Sequence, residues 1–335
     1  MKLITFTQKN KQKLAVVVDD NQVIDLMCAH QQLFGKRYVH FNSLLAFIQA
    51  GETARTKAEQ CITGIKNLQD ESCLLPLEKL TLLAPIPRPV SIRDFMAFED
   101  HIINCIRREG LKKLGDVDDW IEKKWGRQYT LAKKLNASFY QRPIYYKGNA
   151  NSVVGTDSDV IMPQGSQRFD YELEFGIYIA KKGKNIKAED AHEYIAGYTL
   201  FNDFSDRNIQ LQEQKGRLGP AKGKDFDTGN AMGPFFVTAD EMTQPENIQL
   251  QAYVNGELWS EGNSADMYWS FAQMIEYVSR DETIYPGEFF GSGTCSNMQS
   301  QGCGLEHGRF LKAGDQIELT SPQLGTLRNS IVSSQ

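Results

Sequence analysis

The sequence predicts an α+β protein, mainly β, with a small N-terminal domain over residues 1–82 and a larger domain over 83–335. Three observations carry this. Tyr171, Leu173, Phe175, Ile177 and Ile179 recur at the period of two that marks a strand. Asn255-Gly256, the strongest short hairpin signal, stands between β-prone runs at 249–254 and 257–261. The N-terminal stretch mixes short β-prone runs with two helical patterns, and Pro85, Pro87 and Pro89 then interrupt the chain.

In chain order, residues 2–7, 13–18 and 22–26 predict strands, with Asp19-Asp20-Asn21 turning between the second and third. Ser43 caps a helical pattern of Leu44, Leu45, Phe47 and Ile48 that ends near Gly51. A more polar helix follows from Glu52 to Asn67, and the domain boundary is placed just before the prolines. His101 opens a helical apolar face with Ile102, Ile103 and Ile106; on this local pattern it reads as a partly exposed helix-start histidine. The charge-rich residues beyond it, with Trp120 and Trp125 at helical spacing, predict a helical lid over about 102–142 that leaves the main sheet. Tyr145 to Gly155 reads as a loop entering a strand, Asp190 to Ala196 as a helix, and Tyr268 to Ser279 as an amphipathic helix packed on the core. Gly314-Asp315 and Leu324-Gly325 punctuate the last short strands.

The chemistry concentrates between Asp170 and Gly229. Glu172 and Glu174 share the face of the central strand opposite its apolar side, ~7 Å apart by strand geometry. At that distance two charges repel by about 2.4 kcal/mol at an effective dielectric of 20. A chain tolerates this if the face is wet or if a cation sits between the acids. The next apolar run, from Thr199, ends at Asp203, where strands deliver side chains to a site. Leu218 to Gly229 is glycine-rich and carries Lys222 and Lys224, which lets backbone approach a ligand. Three carboxylates with a nearby lysine suit a hard divalent ion and an anionic ligand.

Composition bounds the rest. Hydrophobic residues make up 41% and charged residues 24%, ordinary for a soluble globular chain. A net charge of -5 argues against a nucleic-acid partner. No apolar run reaches the length of a membrane span, and the N-terminus lacks the apolar stretch of a signal peptide. The six cysteines are scattered without C-x-x-C spacing, which reads as free thiols in a reducing cytoplasm.

Taken together, several stretches resemble the fumarylacetoacetate hydrolase family. They are Asp94-Phe95 through His101, Tyr146 to Val154, Tyr171-Glu172-Leu173-Glu174, and Asn202-Asp203-Phe204-Ser205 with Arg207 and Gln210; then Gly223-Lys224-Asp225-Phe226, and Gly291-Ser292-Gly293-Thr294 with Glu306. The likeness runs from about Leu83 to the C-terminus, and the E-x-E, N-D and G-K set is specific as a whole.

The resemblance implies a mixed β-roll core, a small SH3-like barrel domain at the N-terminus and a homodimer. It implies Mg²⁺ or Ca²⁺, with Mn²⁺ as a further choice, ligated by Glu172, Glu174, Asp203 and Asp94. His101 is then the base that activates water, oriented by Glu306. Arg207, Gln210, Lys224 and Tyr146 hold substrate or developing charge, and Thr294 and Met96 contact substrate. The implied activity is hydrolysis of a carbon–carbon bond in a small 1,3-diketo or acylpyruvate acid, with water attacking one carbonyl and the other fragment leaving as an enolate stabilised by the metal.

Several departures bear on substrate. Asn104 stands where some acylpyruvate hydrolases and oxaloacetate decarboxylases of the family carry a glutamate, which leaves Glu306 as the histidine's partner and favours hydrolysis. Met96 replaces a tyrosine of the fumarylacetoacetases, Asp206 and Asn208 depart from the usual residues around Arg207, and Cys295 to Gly302 looks altered. The alternatives are a decarboxylase, isomerase or hydratase acting on a related 2-oxo acid, and a catalytically silent scaffold.

Overall fold

In the computed structural model, which describes residues 1–68, 71–217 and 219–334, the strand Glu174–Ile179 is buried at every position. It pairs antiparallel with Ile195–Asp203 on one side and Phe289–Gly291 on the other. The sheet continues through Ile92–Phe95, parallel to Phe289–Gly291, and ends at Tyr145–Gly148. On the other side Ile195–Asp203 pairs with Asn230–Thr238. A second sheet of five strands holds the hairpin Gln249–Val254/Glu257–Asn263, followed by Gln316–Ser321, Gly325–Ser333 and Ser158–Met162. Asn255 and Gly256 both take positive φ, as the two-residue turn requires. The architecture is α+β and mostly β, as expected.

The N-terminal residues do not form a separate sheet. Lys2–Gln8 pairs with Asn230–Thr238, placing Leu3 opposite Phe236, so Lys11–Val17, Gln22–Asp25 and Leu74–Pro76 extend the central sheet. Leu3, Ile24, Phe41 and Phe47 share one core with Tyr178, Phe201, Met232 and Phe289. Helices Leu44–Ala50, capped by Ser43, and Glu52–Leu68 lie where their patterns place them. Six free thiols is a reading to correct: Cys28 and Cys73 form a disulfide joining the helix Leu26–Phe34 to the turn Glu71–Cys73. A separation of 45 residues carries no geometric signal, and only the packed helix brings the pair together.

Three further readings shift. Asp190 to Ala196 is not an α-helix; a 3₁₀ segment, Ala188–Tyr194, runs into the strand that starts at Ile195. The amphipathic helix is shorter, Phe271–Ser279, because Ser270 and Gln273 close a capping box. Residues after Asp206 form the helix Arg207–Lys215, which has no apolar stripe to announce it; the Asp206 side chain caps it by accepting from the Asn208 and Ile209 amides. The excursion is helical, from Glu99–Cys105 to Ala137–Tyr140. Two arginines tie it internally: Arg107 to Asp118, Asp119 and Glu122, and Arg127 to Glu99, Asp100 and Glu122.

Candidate active site

Adjacent strands deliver the acids. Asp203 is the last residue of Ile195–Asp203, Glu174 the first of Glu174–Ile179, and Asp94 lies on Ile92–Phe95, opposite Gly291 on one side and Tyr146 on the other. Glu172 falls just before its strand, held by an isolated bridge to Cys303 and by its amide donating to Asn202 Oδ1 at 3.0 Å. Gly291 is required here: a Cβ would stand 2.3 Å from Asp94 Oδ1. Ligand atoms of Asp94, Glu172, Glu174 and Asp203 all lie within 4.8 Å of one another. The E-x-E face is therefore not a wet strand surface, since Glu172 is 4% and Glu174 0% exposed.

The cage is short of positive charge. Arg207 Nη2 donates to Glu172 at 2.8 Å, and Lys224 bridges Glu172 and Asp203. Arg207 is also shared with Asp170, so five carboxylates, Asp170 and the four of the cage, face two cations. Asp94 Oδ1, Glu174 Oε1 and Asp203 Oδ1 are buried without a hydrogen-bond partner. Burial, then Asp203, pushes the Asp94 carboxyl well above the usual range; burial, then Asp94, does the same to Glu174. Burial lifts Asp203 to about 6 despite Lys224. Burial also acts to raise Glu172, but Lys224 and Arg207 outweigh it and hold the group well below its ordinary value. Orphaned oxygens, an all-oxygen donor set and two acids with no cation of their own fit a hard divalent ion.

A second cluster adjoins the first. His101, in the first turn of the helix Glu99–Cys105, places Nδ1 2.8 Å from Glu306 Oε1. It is buried, not the partly exposed helix-start residue its local pattern suggests, because the short helix Gly304–His307 covers it. Glu306 is fixed by Asn104 Nδ2 at 2.8 Å and the Ser296 hydroxyl at 2.6 Å. Burial works to lower the imidazole's proton affinity, but Glu306 prevails and holds it at about 10.

Of the sequence-predicted site residues, all but Asp203 and Glu306 line a single cavity of about 1110 Å³. Those two stand just behind it: the Tyr146 hydroxyl donates to Asp203, and Glu306 backs His101. Gln210 accepts from Arg207 Nη1 at 2.8 Å, one helical turn along. Thr294 and Met96 line the cavity wall. Of the glycine-rich segment, Leu218 lies outside the described residues, while Gly223 packs on the Gln210 backbone and Lys224 enters the cage.

Asp170 is the residue sequence reasoning missed. Fully buried, it accepts from Arg207 Nε at 2.7 Å and from the Gly304 and Leu305 amides at 2.7 and 2.8 Å. It thus ties Arg207 to the turn that carries Glu306. An acid opening an apolar run was the available signal, but it gives no hint of a partner more than 130 residues away.

The sequence pattern of the fumarylacetoacetate (FAA) hydrolase C-terminal family matches residues 122–332. The chain belongs to the fumarylacetoacetate hydrolase family. Over 99% of its length it is 29% identical to the oxaloacetate tautomerase YisK of Bacillus subtilis, covering all of that protein. It is 30% identical to the mitochondrial oxaloacetate tautomerase Fahd2a of Rattus norvegicus, over 87% of this chain and 80% of that one. Among solved structures, the fumarylacetoacetate hydrolase of Exiguobacterium antarcticum shares the fold at a TM-score of 0.72 and 23% identity. The maleylpyruvate hydrolase of Sphingobium sp. SYK-6, solved with manganese(II) and pyruvate, does so at 0.69 and 20%. Both cover 100% of each chain. These two curated relatives are named as tautomerases, and these two solved structures, which share the fold, are named as hydrolases. Among the described residues no helix is long and apolar enough to cross a membrane.

Proposed function

We propose that this chain is a divalent-metal enzyme that interconverts the enol and keto forms of a small 2-oxo acid of the oxaloacetate kind. One observation carries the reading: an under-neutralised oxygen cage and a buried, carboxylate-oriented histidine meet at one cavity. Mg²⁺, Mn²⁺ or Ca²⁺ held by Asp94, Glu172, Glu174 and Asp203 supplies a Lewis acid for the substrate's oxygens. Gln210 gives its amide oxygen to Arg207, which leaves its NH₂ as a donor for the substrate carboxylate. His101, protonated at neutral pH by virtue of Glu306, delivers a proton to the enol carbon and recovers one from the enol oxygen. The cycle consumes no water and returns the imidazole to its starting state. Relatives that align over most of the chain carry this activity in their names, which shifts the balance from the carbon–carbon hydrolysis suggested by Asn104.

Hydrolysis of a larger acylpyruvate remains the second reading. The cavity, about 1110 Å³, is roomy for a four-carbon acid, since sites for drug-sized ligands run to roughly 1,000 Å³. In that reading the neutral form of His101 takes a proton from water. The test follows enol absorbance and products together, on oxaloacetate, acetylpyruvate and fumarylacetoacetate with added Mg²⁺ or Mn²⁺. Accelerated loss of the oxaloacetate enol signal without new acid or carbon dioxide supports tautomerisation. Two acid products from a diketo acid, with no effect on oxaloacetate enol, would replace it with hydrolysis.

A further inference from the structure

Two thiols stand beside the His101–Glu306 pair, and the proposed chemistry uses neither. Cys105 lies one helical turn after His101, with Sγ 3.8 Å from both Nδ1 and Nε2. Cys303 precedes the helix Gly304–His307, and its Sγ donates to Glu306 Oε1 at 3.4 Å. One imidazole, one carboxylate and the Cys303 thiol therefore converge, and the Cys105 thiol lies against the imidazole from the same helix. Ligand atoms of His101, Cys303 and Glu306 lie within 4.8 Å of one another.

This donor set differs in kind from the cage. Four carboxylates select a hard ion, whereas nitrogen and sulfur select a borderline or soft one. A tetrahedral zinc ion, with Zn–N of about 2.0 Å and Zn–S of about 2.3 Å, spaces its ligand atoms roughly 3.3–3.8 Å apart. The Cys303–Glu306 and Cys105–His101 contacts, 3.4 and 3.8 Å, already have that spacing. The His101–Glu306 edge, 2.8 Å, has to open by about half an ångström. His101 and Cys105 line the main cavity, so an ion has a route in.

We propose that His101, Cys303 and Glu306 form a second metal site, completed by Cys105 when its side chain rotates off the imidazole ring, separate from the four-carboxylate cage and selective for Zn²⁺ and similar thiophilic ions. As the two metal–sulfur bonds form, each thiol gives its proton to solvent, and the imidazole releases the proton it shares with Glu306. Occupancy removes His101 from proton transfer, so the same ion inhibits the enzyme. The binding claim stands without the proposed function; the inhibition rests on it.

The test adds Co²⁺, a spectroscopic stand-in for zinc, to the full chain with its cage saturated by Mg²⁺. One equivalent gives thiolate-to-cobalt charge-transfer absorption and the intense visible bands of tetrahedral cobalt, and Zn²⁺ displaces it. Cys105→Ser and Cys303→Ser each lower the charge-transfer band by about half or more, and the double variant abolishes it. Each also weakens Zn²⁺ inhibition of the Mg²⁺-loaded enzyme by at least about 100-fold, more than loss of an outer-shell partner costs. Cys105 is only partly buried, so its serine variant carries the test if Cys303→Ser fails to fold. Weak octahedral cobalt absorption alone, or zinc inhibition unchanged in Cys105→Ser, overturns the site. A Cys105-dependent cobalt spectrum without any zinc inhibition keeps the site and counts instead against His101 as the proton-transfer group.

Discussion

The two halves of the acid cage make opposite use of the same residue type. Glu172 and Asp203 face Arg207 and Lys224, and Glu172 stays ionised despite complete burial. Asp94 and Glu174 face each other and the remaining acids, with carboxyls pushed well up and oxygens left unpartnered. One residue separates Glu172 from Glu174, yet one belongs to a finished ion-pair network and the other to an unfinished one. The lesson is that the cation-paired half organises the protein, while the unpaired half is kept at a cost to stability so that a dication can complete it.

The comparison breaks most sharply at its unpaired half. Glu174→Gln should remove metal binding and reduce turnover by about 10³-fold or more, read by Mn²⁺ binding and enol absorbance. His101→Ala should cost about 10²–10⁴-fold in kcat while leaving metal content untouched, since the histidine belongs to neither half; loss of metal by elemental analysis would count against this assignment. Glu172→Gln should lower the stability of the metal-free protein by about 3–5 kcal/mol, because it removes the buried carboxylate that Arg207 and Lys224 share and leaves each with one acid, Asp170 and Asp203. Glu174→Gln should instead raise the metal-free Tm by a few degrees at neutral pH, roughly 1 kcal/mol, because it removes an acid whose ionisation burial and Asp94 oppose. Equal destabilisation by the two glutamines would erase the distinction between the halves.

Asp170→Asn sharpens the link between the paired half and the histidine. Arg207 and the Glu306 turn both lean on this carboxylate, so kcat should fall about 10- to 100-fold with metal retained. An unchanged pH profile of kcat would mean that Asp170 does not reach Glu306 and His101.

The smallest effect is a pH slope. Asp94, Glu174 and, at about 6, Asp203 hold protons in the folded metal-free chain that the unfolded chain has lost. Stability therefore falls as pH rises from about 4.5 to 6.5. Glu172, shifted the other way, is ionised in both states across that window and adds no slope. His101, held up at about 10, loses its contribution only above the unfolded value near 6.5. Saturating Mn²⁺ should abolish the decline, so the metal-induced Tm increase grows with pH; a metal effect independent of pH would show that protons and metal do not compete for the cage.

Much of this was legible in the chain. Alternation over Tyr171 to Ile179 put Glu172 and Glu174 on one face, and the apolar run ending at Asp203 gave the third acid. What failed was burial, because period two tells which face a side chain takes but not what covers it. Gly304–His307, which covers His101, and the helical excursion that carries His101 both arrive from far along the chain from these acids. The merging of the N-terminal strands with the central sheet depends on Leu3 meeting Phe236, a pairing that no local pattern encodes. The helix Arg207–Lys215 escaped because it rests on a cap and buried polar contacts instead of an apolar stripe.

The central claim is that the Asp94–Glu174 half is built to be finished by a metal ion. Titration of Mn²⁺ into the metal-free chain at neutral pH, followed by calorimetry and repeated on Glu174→Gln, tests it most directly. The account requires one ion per chain in the unaltered protein and none in the variant. Manganese bound equally well by Glu174→Gln, or by neither protein, would contradict it.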